Sequence, residues 1–413
     1  MIILSNGFPT NMPNSEKFSH GGPANFARLF YNFIFPNPEH QWIGLMFKWG
    51  KSRSIRLRSR FFFLRREYHC LYVPQDLIKQ ITRATCYKDP RKILYEPLER
   101  LTAFIKEKKP DIVFLNGFGV FNWMLLVAAN RAGVPSVIQH AGILTKELHV
   151  HHYLYTSAGH KIMSEMEKDS SLLTSAEVFL NSWSRDYYQK NVFRRNDEKA
   201  VIIPLPFNFG KFKDSVQNKK PSDSRFILDP KKFHIGVIAR WDEIKNHSAV
   251  LSLAKEAKKR GLNWQIHSVT EIPDCPKYRL QKREYQNYVS IIPLLDRDGI
   301  ADFCHSMDLL IQPSLFDVSP TVVLEAMALD TPIIISPNIG YVNNFIEHGA
   351  KDWIIDWTTG AKKVVDRILR LRNRQIPVSL KKYLIKAHDQ EKVFSSYLKL
   401  FSQVKNKKVN KRV

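Results

Sequence analysis

Asp317 and Glu325 stand eight positions apart in PSLFDVSPTVVLEAMALDTPIIIS, and Arg240 and Lys245 stand five apart in FHIGVIARWDEIKNH. Carboxylates accept hydrogen bonds from sugar or ribose hydroxyls, and amide donors at a helix start suit a phosphate. Two cations at the end of a strand can hold a diphosphate without a metal and stabilise charge on a leaving group. Taken singly, such pairs are commonplace on protein surfaces. Their meaning depends on the elements that carry them.

Those elements are legible from periodicity. Asp308 to Pro313 (DLLIQP) and Thr331 to Ser336 (TPIIIS) are short apolar runs that read as buried parallel strands. Between them Ser319 and Pro320 give an N-cap and first-turn signal, and Val322, Val323, Ala326 and Met327 predict a short helix. The unit is βαβ. Asp317 then lies in the loop at the strand's carboxyl end, Glu325 about two turns into the helix. FHIGVIA (Phe233 to Ala239) predicts a strand that delivers Arg240 and Lys245 to the start of a helix over Asn246 to Arg260, capped by Asn246 and stopped by Gly261.

The amino-terminal half repeats the alternation. DIVFL (Asp111 to Leu115), PSVIQ (Pro135 to Gln139), SAEVFL and AVIIP (Ala200 to Pro204) predict strands. Phe121 to Ala132, closed by Gly133, predicts a helix, and Asn181 or Ser182 caps SRDYYQKN. In SHGGPANFARLF, Gly21 and Gly22 precede Pro23 at a helix entrance, where glycine lets backbone approach a ligand. His140 follows a strand and is expected to project from its end into a crevice. Two blocks of alternating strands and helices predict an α/β chain with two doubly wound, Rossmann-like domains facing a central cleft. The first covers 1–207, the second 208–385, with a polar linker over Asn208 to Ser224. Residues 386–413 predict a carboxyl-terminal helix packing back on the first domain, with a basic tail.

The segment PS-LFD-x-SP-x-VVLEAMA-x-x-TPII-x-S resembles the nucleotide-sugar signature of retaining GT-B glycosyltransferases, in particular family 4. The usual form has Glu at both ends and glycine where Asp330 stands. The resemblance implies metal-independent transfer of a sugar from a nucleoside diphosphate to a hydroxyl acceptor, with no cofactor. It further implies that Arg240, Lys245 and the helix start at Ser319, Pro320 and Thr321 hold the diphosphate. Glu325 then binds the ribose, Asp317 and His140 orient the sugar, and the loop of Gly21 and Gly22 closes over donor and acceptor. One alternative stays open: a GT-B fold that has lost catalysis and serves as a binding or partner subunit. Asp317, Asp330 and SPNIGYVNN, with Asn344 where the family places a glutamate, keep it in view.

The formal charge of +24 over 413 residues calls for a polyanionic partner or substrate. Lys51 to His69 and the tail Lys405 to Val413 concentrate it. Each basic residue near an anionic leaflet is worth about 1 kcal/mol, so these stretches fit a membrane surface and a lipid-linked acceptor. A solvated basic face explains them equally well. Nucleic acid is not expected, because no aromatic motif of an RNA-recognition module is present. No run reaches the roughly 18 apolar residues of a membrane span. The start MIILSNGFPT lacks a leader pattern, and Cys70, Cys86, Cys275 and Cys304 form no C-x-x-C pair. Buried thiols in a cytoplasmic protein, peripheral on the inner face of a membrane, are the expectation. Asp296-Arg297-Asp298 has the form of a metal-binding D-x-D, but Asp298 is read as a helix cap. His149, His151, His152 and His160 lack partners at zinc-ligand spacing, so no metal is expected.

Overall fold

The computed structural model describes residues 1–6, 22–34, 36–50, 55–63, 66–150, 155–193, 198–217, 226, 228–274 and 276–406. Gly21, His151, His152, Cys275 and the end of the basic tail lie outside them. Two compact units divide the chain, with boundaries after Leu205 and after Gln390, and the segment from Glu391 belongs to the first unit.

The first unit is built on eight strands: β1 (Ile2–Ser5), β2 (Gln41–Gly50), β3 (Arg56–Phe63), β4 (Arg66–Pro74), β5 (Ile112–Asn116), β6 (Ser136–His140), β7 (Ala176–Phe179) and β8 (Ala200–Ile202). Their order is β3-β4-β2-β1-β5-β6-β7-β8. All pairings are parallel except that of β3 with β4, so the basic, phenylalanine-rich stretch forms an antiparallel edge strand. Every residue of β5 and β6 is buried, as a sheet covered on both faces requires. Alternation along β5 divides the two cores. Val113 and Leu115 face helices 95–108, 120–132 and 157–173 through Leu98, Trp123 and Met166.

Phe114 points the other way, among Phe26 and Phe30 of helix Gly22–Ile34 and Phe394, Tyr397 and Phe401 of helix Gln390–Lys405. Phe30 meets Phe394 at 5.2 Å and Phe401 at 5.9 Å between ring centres. Each such ring buries apolar surface worth roughly 1.5–3 kcal/mol. The Tyr397 hydroxyl donates to Gln139 Oε1 at 2.7 Å, and Lys405 pairs with Asp111 at 2.8 Å. The last helix is thus a structural part of the first unit.

The second unit holds β9 (Phe233–Ile238), β10 (Trp264–Val269), β11 (Val289–Ile292), β12 (Leu309–Gln312) and β13 (Ile333–Ile335), all parallel, in the order β11-β10-β9-β12-β13. The chain runs outward from β9 through β11 and then returns to the other side of β9 as β12. That reversal makes the carboxyl ends of β9 and β12 the switch point at which open parallel sheets bind ligands. Gly236 permits the close packing beneath it: a Cβ there would come within 2.7 Å of Leu310 and Met307 side-chain atoms.

Two expectations are corrected. Within the polar stretch predicted as a linker, Phe209–Gln217 is a helix. Phe209, Phe212 and Val216, spaced three and four apart, pack with Phe207, Ala301 and Ala328 and outweigh the polar composition. Of the described thiols, Cys70 and Cys304 are buried, but Cys86 is exposed. Among the described residues no helix is long and apolar enough to cross a membrane, and no metal-ligand cluster is present.

Candidate functional site

The β12-helix-β13 unit carries Asp317 where the spacing requires. The loop after β12 is fastened to the segment after β13: Asp317 N–H donates to Asn338 O at 3.2 Å, and Gly340 N–H donates to Asp317 O at 2.9 Å. The helix spans Thr321–Ala328 with Pro320, not Ser319, at the cap position and without a side-chain cap. Proline supplies the dihedral angle there, and the Ser319 hydroxyl is engaged elsewhere, sharing a 2.9 Å hydrogen bond with Tyr341 OH. Ser319 N–H instead donates to Asp317 Oδ1 at 3.3 Å.

Across the switch point, β9 ends before Arg240, whose side chain is exposed. The turn that follows holds Glu243–Lys245 as a short 3-10 helix, capped by Asp242 accepting from Ile244 N–H at 2.9 Å. Asn246 sits in the left-handed region (φ 57) and makes no side-chain cap, contrary to expectation. Its Nδ2 donates to Pro313 O at 3.1 Å, and Leu315 N–H donates to Ile244 O at 2.8 Å. These two bonds stitch the turn after β9 to the loop after β12.

Lys245 Nζ consequently reaches the Asp317 carboxylate, with the two side chains only 17% and 15% exposed. Gln312 Nε2 donates to the same carboxylate oxygen at 3.3 Å. Glu325 remains partly accessible, yet its surroundings are dense enough that desolvation raises its carboxyl to about 7, against the opposing pull of Arg297 and the Thr321 hydroxyl. Tyr341 is 1% exposed; its burial pushes the phenol up, and both Asp317 and Glu325 add to that effect. Lys245, Asp317, Ser319, Glu325 and Tyr341 therefore form one polar neighbourhood. Gln312 ends an apolar strand and Tyr341 lies in the turn segment SPNIGYVNN, and neither position carries a spacing that marks a site residue.

The remaining predicted residues lie in the first unit. Gly22 opens its helix, and Gly21 lies outside the described residues. His140 does not project into solvent. It is 0% exposed, stacked on Phe179 at 4.6 Å, with Nε2 at 2.9 Å from Glu177 Oε1. Ser171 Oγ donates to the same Glu177 oxygen at 2.6 Å and contacts Tyr188 OH at 2.9 Å. A buried carboxylate on the neighbouring strand, the second residue of β7, captures the imidazole, and no local sequence signal announces it. Glu167 holds the loop beyond His140 through Leu144 N–H and Thr145 N–H, both at 2.7 Å. The D-x-D segment is indeed a cap, but the capping residue is Asp296, which accepts from Gly299 N–H at 2.8 Å. Asp298 accepts from Ser215 Oγ at 2.8 Å.

The family described as glycosyl transferases group 1 matches residues 219–390. A protein of Bacillus subtilis (strain 168) named as the glycosyltransferase EpsF is 32% identical over 142 residues, 34% of this chain; the match spans little more than a third (37%) of that curated relative. The fold is similar along nearly its whole length to solved structures. Sucrose-phosphate synthase from Thermosynechococcus elongatus gives a TM-score of 0.70 at 15% identity, covering 97% of this chain and 98% of the other. A structure described as trehalose-6-phosphate from E. coli bound with UDP-2-fluoro glucose gives 0.65 at 11%, covering 98% and 99%. At such identities these likenesses establish the fold. A glycosyltransferase from Rickettsia africae gives 0.63 at 12%, covering 98% of each chain. The chain has the GT-B fold, and residues 219–390, within its second unit, are similar to the family described as glycosyl transferases group 1.

Proposed function

We propose that this protein is a retaining glycosyltransferase that moves a sugar from a nucleoside-diphosphate sugar to a hydroxyl acceptor without a metal. The observation that carries the reading is the Lys245–Asp317 pair at the switch point of a parallel sheet, beside Glu325, within the segment that matches the family. Arg240, Lys245 and the amides at the start of helix Thr321–Ala328 hold the diphosphate and stabilise the charge that develops as the glycosidic bond breaks. Glu325 accepts from ribose hydroxyls. Asp317, released from Lys245 as phosphate takes over that cation, accepts from a hydroxyl of the sugar. His140 is assigned no direct contact, because it is sealed from solvent.

A thermal-shift screen against UDP, GDP, ADP and CMP sugars tests the donor class: a ligand at 100 times its dissociation constant stabilises by roughly 2.7 kcal/mol. Transfer or slow hydrolysis of the binding donor, abolished in Lys245→Ala, is the expected result. Absence of any shift across the panel would overturn the reading.

The acceptor is a lipid-linked or surface-polysaccharide precursor reached at an anionic membrane. This part of the reading is supported by the charge of +24 and by the edge position of β3. Salt-sensitive binding to phosphatidylserine-containing vesicles, exceeding that to neutral ones, is the expected outcome; equal binding at low salt would count against it.

A further inference from the structure

His247, at the start of helix His247–Lys259, lies two residues beyond Lys245 and is 6% exposed. Its Nε2 lies 2.9 Å from Arg240 O, and a carbonyl can only accept, so Nε2 carries the proton. Its Nδ1 is then the acceptor for Tyr285 OH at 3.3 Å, from helix Pro276–Gln286. The ring is stacked under Trp241 at 4.4 Å, and Tyr285 meets Trp241 edge-on at 5.1 Å. The backbone between the two cations is thereby closed on itself: Arg240 O is tied to the ring of the residue that begins the next helix.

We propose that His247, oriented by Tyr285, is a positioning residue for the diphosphate, fixing the Arg240–Lys245 turn so that both cations converge on the outer phosphate. The inference rests on the donor reading above. Burial holds the His247 imidazole toward its neutral form, with desolvation the largest cause, which keeps Nδ1 available to accept. The interaction acts on phosphate and not on the nucleoside, because the hydrogen bonds constrain only the turn that carries the cations.

The test compares the affinities of UDP and UMP, GDP and GMP, and ADP and AMP by isothermal titration in the full-length protein. His247→Phe keeps the stack under Trp241 and deletes both hydrogen bonds. For whichever diphosphate binds the wild type, the preference for diphosphate over monophosphate is expected to fall about tenfold, the scale of one lost hydrogen bond. His247→Gln, which retains a donor for Arg240 O, recovers part of it, and Tyr285→Phe gives a smaller loss. Nitrogen chemical shifts of His247 report the proton on Nε2 in the wild type. An unchanged preference in His247→Phe, with weaker binding of both nucleotides or a lower Tm alone, would reduce His247 to packing and overturn the inference while the donor reading stands. Binding of no nucleoside diphosphate to the wild type would overturn both.

Discussion

The Lys245 ammonium is bonded to the Asp317 carboxylate across 72 positions of sequence, in a site where each has a separate expected duty toward a ligand. The pair neutralises itself while the donor is absent. A double-mutant cycle over Lys245→Ala and Asp317→Ala, followed by thermal denaturation, is expected to give a coupling on the order of 1 kcal/mol for this mostly buried pair. Sugar transfer should fall about 100-fold or more in Lys245→Ala, as for a lost transition-state donor. Additive stabilities would show that the ion pair does not form in solution.

Glu325 links stability to pH. Its carboxyl, raised to about 7 by desolvation from an ordinary 4.5, binds a proton more tightly in the folded chain than in the unfolded one. Its contribution is therefore fully present below pH 4.5 and is lost as pH rises through about 7, a change on the order of 3 kcal/mol. Glu325→Gln removes this dependence. Its Tm should match the wild type at pH 4.5 and exceed it at pH 8, while nucleotide affinity falls. Parallel Tm profiles for the two proteins would contradict the assignment.

His140 and Glu177 form a closed buried pair, with side chains 0% and 4% exposed. Glu177→Ala leaves the imidazole and the Ser171 hydroxyl without their acceptor and should destabilise the protein by about 3 kcal/mol or more. Ser171→Ala should cost nearer 1 kcal/mol. Urea denaturation measures both, and equal costs would mean that the carboxylate is not the centre of the network.

Asp330 departs from the glycine common at its place, and the backbone explains which residues can stand there. Its φ is 59, the left-handed region that Gly enters freely and Asp more readily than most residues. Its carboxylate also pairs with Lys381 on the surface. Asp330→Gly is expected to change stability by less than about 1 kcal/mol, since relief of strain and loss of an exposed pair oppose each other. Asp330→Val should cost at least about 1 kcal/mol. A Val variant as stable as the wild type would show that the turn rearranges. The departure is thus compatible with an intact site.

The order of strands and helices in the second unit was legible because buried parallel strands write themselves as short apolar runs such as Leu309–Gln312 and Ile333–Ile335. The helix boundaries were less so. Ser319 and Asn246 are good caps by type, but each finds a tertiary partner, Tyr341 and Pro313, that local chemistry does not reveal. Within the stretch read as a linker, Phe209–Gln217 is helical for a related reason: three apolar residues in a polar segment suffice for a helix when Ala301 and Ala328 receive them.

By itself, the sequence determined the alternation that makes two α/β units and the placement of Asp317 and Glu325 on one loop and one helix, because both follow from spacing within a single βαβ segment. Only the tertiary structure decided what these groups touch. The reversal of strand order between β9 and β12 brings Lys245 to Asp317. The pairing of β6 with β7 turns His140 inward to Glu177, and the fold of helix Pro276–Gln286 sets Tyr285 against His247. Contacts between residues tens of positions apart depend on strand order and helix docking, which periodicity along one chain does not encode.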